Sequence, residues 1–178
     1  MSKNSEKQLI QSFANVKLLL SDVDGILTDA SVWMGRGNEF KQFHVMDGLG
    51  IRILREHGIK VGWISGRPSP ATEERAKELE IDFLYQSRNG KIKAAIEILE
   101  KTGFQWQDVC YMGDDIVDLG LMKRAGVAVT VPNAIPEVKK IAHYITKAPG
   151  GHGAVREVVE LILKAQNYWN KIIEKYLE

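Results

Sequence analysis

Three short runs in this chain are apolar without interruption: Leu18-Leu19-Leu20, Val61-Gly62-Trp63-Ile64 and Val109-Cys110-Tyr111-Met112. A strand with one face in water alternates apolar and polar residues, so an unbroken run of this length belongs to a strand buried on both faces. Amphipathic stretches lie between the runs, and that alternation is the pattern of an α/β fold, a parallel sheet flanked by helices. Strands are predicted over Val16–Ser21, Lys60–Ile64, Phe83–Tyr85, Val109–Met112, Val127–Val129 and Tyr144–Ile145. Helices are predicted over Gly48–His57, Ala71–Glu80, Lys91–Thr102, Ile116–Arg124, Ile135–Ala142 and Ala154–Gln166. Ser69 and Pro70 suit the start of the second helix, and Gly58 and Gly103 the ends of the first and third.

The segment Ala30–His44 departs from this rhythm. Ser31-Val32-Trp33-Met34, the turn Gly35-Arg36-Gly37-Asn38 and the return Glu39–His44 predict a β-hairpin carrying Trp33, Phe40 and Phe43. A lone hairpin is marginal in water, so this one needs a surface to pack on. Residues 167–178 are expected to extend the last helix with an apolar stripe of Tyr168, Trp169, Ile172, Ile173 and Tyr176, suited to folding back or to meeting another subunit. One domain, 1–178, is expected, with the hairpin near 30–44 and a helical tail near 150–178. A net charge of +1 removes the electrostatic case for nucleic acid or an anionic membrane as partner. Cys110, the single cysteine, excludes a disulfide framework and a thiolate zinc site. Residues 1–15 are polar and mixed in charge, unlike a signal peptide, and no run nears the roughly 18 apolar residues of a spanning helix, so a cytoplasmic protein is expected.

The first strand runs into Asp22-Val23-Asp24-Gly25-Ile26-Leu27-Thr28. Residues i and i+2 of an extended backbone share a face, so Asp22 and Asp24 project together. Two carboxylates held close cost free energy unless a cation or a phosphoryl group shares the site. Further signals follow later strands, at the carboxyl ends where open α/β sheets bind ligands: Ser65-Gly66-Arg67, Lys91, Gly113-Asp114-Asp115 and, one turn on, Asp118. Singly, such an aspartate is most often a turn former and such a lysine a solvated side chain. Together and in this order they supply the parts of phosphoryl transfer. In that reading Asp22 attacks phosphorus to form an aspartyl-phosphate, and Asp24 protonates the departing oxygen and later deprotonates water. Ser65 and Lys91 hold the equatorial phosphoryl oxygens. A hard divalent cation, Mg²⁺, offsets the repulsion of a phosphate dianion, held by Asp22, Asp114 and a backbone carbonyl, with Asp115 and Asp118 as surrounding acidic charge.

Asp22-Val23-Asp24-Gly25-Ile26-Leu27-Thr28, Ser65, Lys91 and Gly113-Asp114-Asp115 resemble the four motifs of the haloacid dehalogenase superfamily of phosphatases, over residues ~16–165. The resemblance implies a Rossmann-like sheet, Asp22 as nucleophile, Asp24 as acid/base, and Mg²⁺ bound by Asp22, the main-chain oxygen of Asp24, and Asp114. About twenty residues separate Thr28 from Gly48, too few for a cap domain. A site without a cap is open to water, and the hairpin of a neighbouring subunit is the expected cover.

That layout resembles the capless tetrameric branch acting on 3-deoxy-D-manno-octulosonate 8-phosphate, through Phe43–Arg52, Ile64–Arg67, Leu84-Tyr85-Gln86 and Gly150–Glu157. The resemblance implies substrate contacts from His44, Val45, Met46, Asp47 and Gly48 and from Arg52, Gly66, Arg67 and Arg75. It also implies a sugar acid phosphate as substrate, a homotetramer, lipopolysaccharide precursor synthesis, and a Gly-rich C-terminal segment belonging to a tail that can reach an adjacent active site. An arginine fork matches the carboxylate of such a sugar. Met46 stands where the family commonly has arginine, and Ser87 where it has glycine. A nine-carbon, sialic-acid-type sugar 9-phosphate therefore stays open beside the eight-carbon substrate, which Arg67 favours. Readings from other classes are a phospho-accepting receiver domain and a non-catalytic relative. In a receiver the acidic pair precedes the phosphorylated aspartate, whereas here it comes last. Gly35-x-Gly37 lies in a hairpin context that does not suit a dinucleotide site.

Overall fold

The unbroken apolar runs become the centre of a six-stranded parallel sheet. The computed structural model describes residues 3–88 and 90–177, so residues 1, 2, 89 and 178 of the expected domain and tail lie outside the described residues. The strands are β1 (Leu18–Ser21), β4 (Lys60–Ser65), β5 (Phe83–Gln86), β6 (Val109–Met112), β7 (Val127–Thr130) and β8 (Tyr144–Ile145), in the order β5-β4-β1-β6-β7-β8. β1 is buried along its whole length, with Leu18 beside Lys60 on one side and Val109 on the other. From β1 the chain builds outward through β4 and β5, then returns to build the other way through β6, β7 and β8. Connections that diverge from neighbouring strands open a crevice at their carboxyl ends, here between β1 and β6. The Asp22 N–H donates to the Met112 carbonyl at 2.9 Å and ties those ends together.

Helices cover both faces. α2 (Val45–Glu56) begins three residues before the expected Gly48, because its first turn is built from exposed Val45 and Met46. α3 (Pro70–Glu78) starts as expected, with the Ser69 hydroxyl accepting the Thr72 N–H. α4 (Lys91–Thr102) ends at Gly103 in the left-handed region. The stretch predicted as one helix over Ile116–Arg124 is a 3₁₀ turn at Ile116–Asp118 and then the short α5 (Leu119–Met122), because Asp115 and Asp118 take up backbone N–H groups in the turn. α6 (Pro136–Ile141) and α7 (Ala154–Ala165) lie where expected. α1 (Lys3–Ala14) escaped the sequence pattern, because few of its residues are apolar; Phe13 is buried and Leu9 packs on the core. Among the described residues no helix is long and apolar enough to cross a membrane.

The tail does not extend α7. Asn167 takes a φ of +62°, and α8 (Trp169–Lys175) turns back over the domain. The Trp169 ring lies under Arg156 and Lys164, Tyr168 lies 5.0 Å from His57 and Ile172 is buried, while Ile173, Tyr176 and Leu177 stay exposed. The hairpin is shorter than expected: β2 (Trp33–Gly35) pairs with β3 (Asn38–Phe40) around Arg36 and Gly37, both at positive φ as a two-residue hairpin loop requires. Trp33, Met34 and Phe40 are exposed, whereas Phe43 has left the ribbon and stacks on Trp63 at 6.4 Å.

Candidate active site

Asp22 is the first residue beyond β1 and is 6% exposed. One carboxylate oxygen, Oδ1, accepts the Val23 N–H at 2.8 Å and faces the Lys91 ammonium at 3.0 Å. Lys91 opens α4 behind Gly90, and its Nζ also lies 2.7 Å from Asp118 Oδ1. The Tyr111 hydroxyl donates to that same Asp118 oxygen at 2.6 Å. Asp118 Oδ2 accepts the N–H groups of Asp114 at 3.0 Å and Asp115 at 3.2 Å. Asp118 is thus the hub that fixes both the lysine and the acidic loop after β6.

Glycines make this convergence possible. A Cβ on Gly25, at φ +97°, would stand 2.1 Å from Asp114 Oδ2, and one on Gly113 would stand 2.4 Å from Asp118 Cβ. The Gly-rich segment at 150–153 underlies the chain's own Asp22–Asp29 loop. A Cβ on Gly150 would meet the Gly25 carbonyl at 1.8 Å, and the Gly151 N–H donates to Ile26 O at 3.0 Å. Only glycine permits backbones so close.

Crowding of buried charge shows in the acidities. Burial, then the repulsion of Asp118, raises Asp22 to about 6. Burial, then the repulsion of Asp22 and Asp118, raises Asp114 to about 7. Burial opposes the charge of Lys91, yet Asp22 and Asp118 hold its pKa above the ordinary value. Oxygens of Asp22, Asp114 and Asp118 lie within 4.8 Å of one another, and Asp114 Oδ1 is buried without a hydrogen-bond partner. Three carboxylates gathered around one unpartnered oxygen could hold a hard cation such as Mg²⁺. The sequence left Asp118 on the margin of this group; the structure brings it into the cluster. Asp115 is turned out, its Oδ1 accepting the Ile116 N–H at 2.7 Å.

Asp24 does not join the side-chain cluster. Its Oδ1 faces the ammonium of Lys41, a residue the sequence did not single out, at 2.7 Å. Ser65 closes β4, with its hydroxyl exchanging hydrogen bonds with the backbone of Arg67 at 3.0 Å each way. Ser65, Gly90 and Lys91 line one side of a cavity of about 210 Å³, and Gly66 lies close to the Lys91 stem.

The residues expected to touch substrate fall into separate groups. Gly66 lies near the stem of Lys91, which contacts Asp22, and Arg67, whose backbone bonds the Ser65 hydroxyl, is paired with Glu39 of the hairpin, which also accepts from Ser69. His44, Asp47, Gly48 and Arg75 gather around the start of α2. Asp47 is turned toward α7, where its Oδ1 accepts the Arg156 N–H at 2.6 Å, so its visible role is to cap that helix. Gly48 leaves room for the Arg75 guanidinium, which lies over Phe43 and pairs with Glu78 at 2.7 Å. His44 lies beside Gly153, with its Nδ1 buried and unpartnered. Val45 and Met46 are exposed, and Arg52 is exposed further along α2.

A parallel sheet whose first strand ends in a buried aspartate, linked through lysine to an acidic loop on the next strand, defines a class: the haloacid dehalogenase-like hydrolases. The model of that class, described as haloacid dehalogenase-like hydrolase, matches residues 90–158. The chain is 44% identical over 160 residues to the 3-deoxy-D-manno-octulosonate 8-phosphate phosphatase of Yersinia pestis, covering 89% of this chain and 86% of that protein. It is 42% identical over 159 residues to the Escherichia coli K12 protein of the same name, covering 89% and 85%. The crystal structure of the Moraxella catarrhalis phosphatase of that name, in complex with magnesium ion, phosphate ion and KDO molecule, aligns with a TM-score of 0.93 at 40% identity, covering 96% of this chain and 98% of that one. The chain belongs to this family of 3-deoxy-D-manno-octulosonate 8-phosphate phosphatases and is a phosphoric monoester hydrolase.

Proposed function

We propose that this protein hydrolyses 3-deoxy-D-manno-octulosonate 8-phosphate to the free sugar acid and phosphate through an aspartyl-phosphate on Asp22, with Mg²⁺ bound by Asp22, Asp114 and the main-chain oxygen of Asp24. The observation that carries the reading is the Asp22–Lys91–Asp118 chain at the β1/β6 crevice. Mg²⁺ in the Asp22, Asp114, Asp118 cluster would offset the repulsion between carboxylates and phosphate and polarise the phosphoryl group.

The remaining chemistry belongs to this chain's own side chains. Asp22 Oδ1 is engaged by Lys91 and the Val23 N–H, which leaves Oδ2 to attack phosphorus. As the Oδ2–P bond forms, the bond from phosphorus to the sugar oxygen breaks, and Asp24 gives that oxygen a proton. Water then bonds to phosphorus, its proton passes back to Asp24, and the Asp22 carboxylate is released. Lys91, 3.0 Å from Asp22 Oδ1, and Ser65 are the groups we assign to hold the phosphoryl oxygens as they gain charge. We assign the eight-carbon substrate from the family and from Arg67 and Arg75, whose guanidinium groups suit its carboxylate.

Exposed Trp33, Met34 and Phe40 on the hairpin and Val45 and Met46 beside it support assembly as a homotetramer in which each hairpin covers a neighbour's site. Asp22→Asn protein should fold normally and release no phosphate above background from 3-deoxy-D-manno-octulosonate 8-phosphate in Mg²⁺. Undiminished turnover would refute the nucleophile, and faster turnover of a nine-carbon sugar 9-phosphate by the unmodified protein would refute the substrate.

A further inference from the structure

The hairpin's return limb sends two charged side chains into the site, and the chemistry above uses neither. Glu39, on β3, is bound by Arg67 and by the Ser69 hydroxyl. Lys41, one residue past β3, places its ammonium 2.7 Å from Asp24 Oδ1 and 3.2 Å from the Thr72 hydroxyl. Its side chain is 0% exposed. An ammonium withdrawn from water is costly unless its charge is compensated, and here Asp24 in direct contact, with Glu39 nearby, compensates it. Thr72 is itself fully buried in the first turn of α3, with its N–H held by Ser69. Glu39 and Lys41 therefore pin the limb to the start of α3, and through Lys41 to the Asp22–Thr28 loop.

The two oxygens of Asp24 are not equivalent. Oδ1 is buried against Lys41, while the side chain as a whole keeps 23% of its surface exposed, so the accessible part lies elsewhere on the carboxylate. The Lys41 contact has the distance of an ion pair without hydrogen-bond alignment, and it holds Oδ1 by charge.

We infer that Lys41 is a positioning residue for the acid/base: it pins Asp24 Oδ1 so that Oδ2 is presented to the leaving-group oxygen. This rests on Asp24 acting as acid and base. The proton on Oδ2 passes to the sugar oxygen as its bond to phosphorus breaks, and a water proton returns to Oδ2 as the phospho-aspartate is cleaved. Lys41 keeps its protons throughout. No hydrogen bond or ion pair joins Lys41 to Asp22, Lys91 or Ser65, so its loss impairs proton transfer and spares attack and phosphate binding.

The test compares leaving groups. A sugar alkoxide must be protonated as it departs; 4-nitrophenolate leaves without a proton. Lys41→Met, with Mg²⁺, should lose about 10²-fold in the single-turnover rate of leaving-group release from the sugar phosphate and only a small fraction of that from 4-nitrophenyl phosphate, the later water attack on phospho-Asp22 being common to both substrates. Inhibition by inorganic phosphate should be unchanged, and Lys41→Arg should recover most of the loss. A lysine that only supports the fold would lower both substrates alike, and that result, or undiminished turnover of the sugar phosphate, overturns the inference. Asp24→Asn run beside it separates the two layers. Bias in Asp24→Asn without bias in Lys41→Met sinks the lysine's role alone, whereas no bias in Asp24→Asn sinks the acid/base reading beneath it. If Lys41→Met does not fold, Thr72→Val, which removes the second anchor of the ammonium, must show the same bias at smaller amplitude; equal losses overturn the inference there too.

Discussion

Lowering the pH from about 8 to about 5 should weaken Mg²⁺ binding steeply, because the ion must displace protons that the site holds tightly. Burial and Asp118 raise Asp22 from 3.8 to about 6, and burial with Asp22 and Asp118 raises Asp114 from 3.8 to about 7. A carboxyl whose folded pKa exceeds its unfolded one holds its proton better in the folded protein. Its stabilising contribution is complete below 3.8 and is lost as pH climbs through about 6 for Asp22 and about 7 for Asp114. For Asp22 the loss is worth about 3 kcal/mol. Asp114 adds less than its own shift suggests, since it is only half-buried and its repulsion with Asp22 is shared. A cation removes this penalty at pH 8 and competes with both protons at pH 5, where Asp22 alone weakens it about tenfold. Thermal unfolding in EDTA and in saturating Mg²⁺ measures the difference. The Mg²⁺-induced rise in Tm should be larger at pH 8, by roughly 3–6 °C from the tenfold factor on Asp22 alone, about 1.4 kcal/mol in a domain of this size. Calorimetry in two buffers of unlike ionisation enthalpy should find proton release near pH 6. Equal Mg²⁺ stabilisation at both pH values, with no proton release, would refute the reasoning.

Other perturbations follow from the same contacts. Lys91→Met strands the Asp22 and Asp118 carboxylates without their shared cation; urea denaturation in EDTA should show a loss of about 3–5 kcal/mol, and phosphate release should vanish. Gly25→Ala forces a Cβ into Asp114 at a left-handed φ, so Mg²⁺-dependent turnover should fall about 10²-fold with the circular dichroism spectrum unchanged. Trp33→Ser combined with Phe40→Ser should shift the mass measured by light scattering from a tetramer to a smaller species; a monomeric mass for the unmodified, fully active protein removes the tetramer.

Much of the fold is legible in particular residues. Leu18–Leu20, Val61–Ile64 and Val109–Met112 could only be buried strands, and all three lie together in the sheet. The helix start at Ser69-Pro70 and the stop at Gly103 are local devices, decided within a turn of chain, and they form as read. α1 was missed because its stability comes from packing Phe13 and Leu9 on the core rather than from its own pattern. The tail failed as a continuous helix because α8 can bury Trp169 and Ile172 only by turning back at Asn167.

For the site, the sequence by itself determined which chemical groups are present and that they go with four different strands: Asp22 and Asp24 with the first, then Ser65, Lys91 and Asp114 with one each. Strand order then decided which of them meet. β6 lies against β1 although nearly ninety residues separate them, and so Asp118 and Tyr111 share charge with Asp22 and Lys91. Lys41 is the clearest case of what sequence could not supply, since a lysine after a hairpin reads as solvated until the backbone folds it onto Asp24. Local pattern governs what a residue offers; long-range chain closure governs which charge it faces, because electrostatic work depends on distance in space and not on separation along the chain.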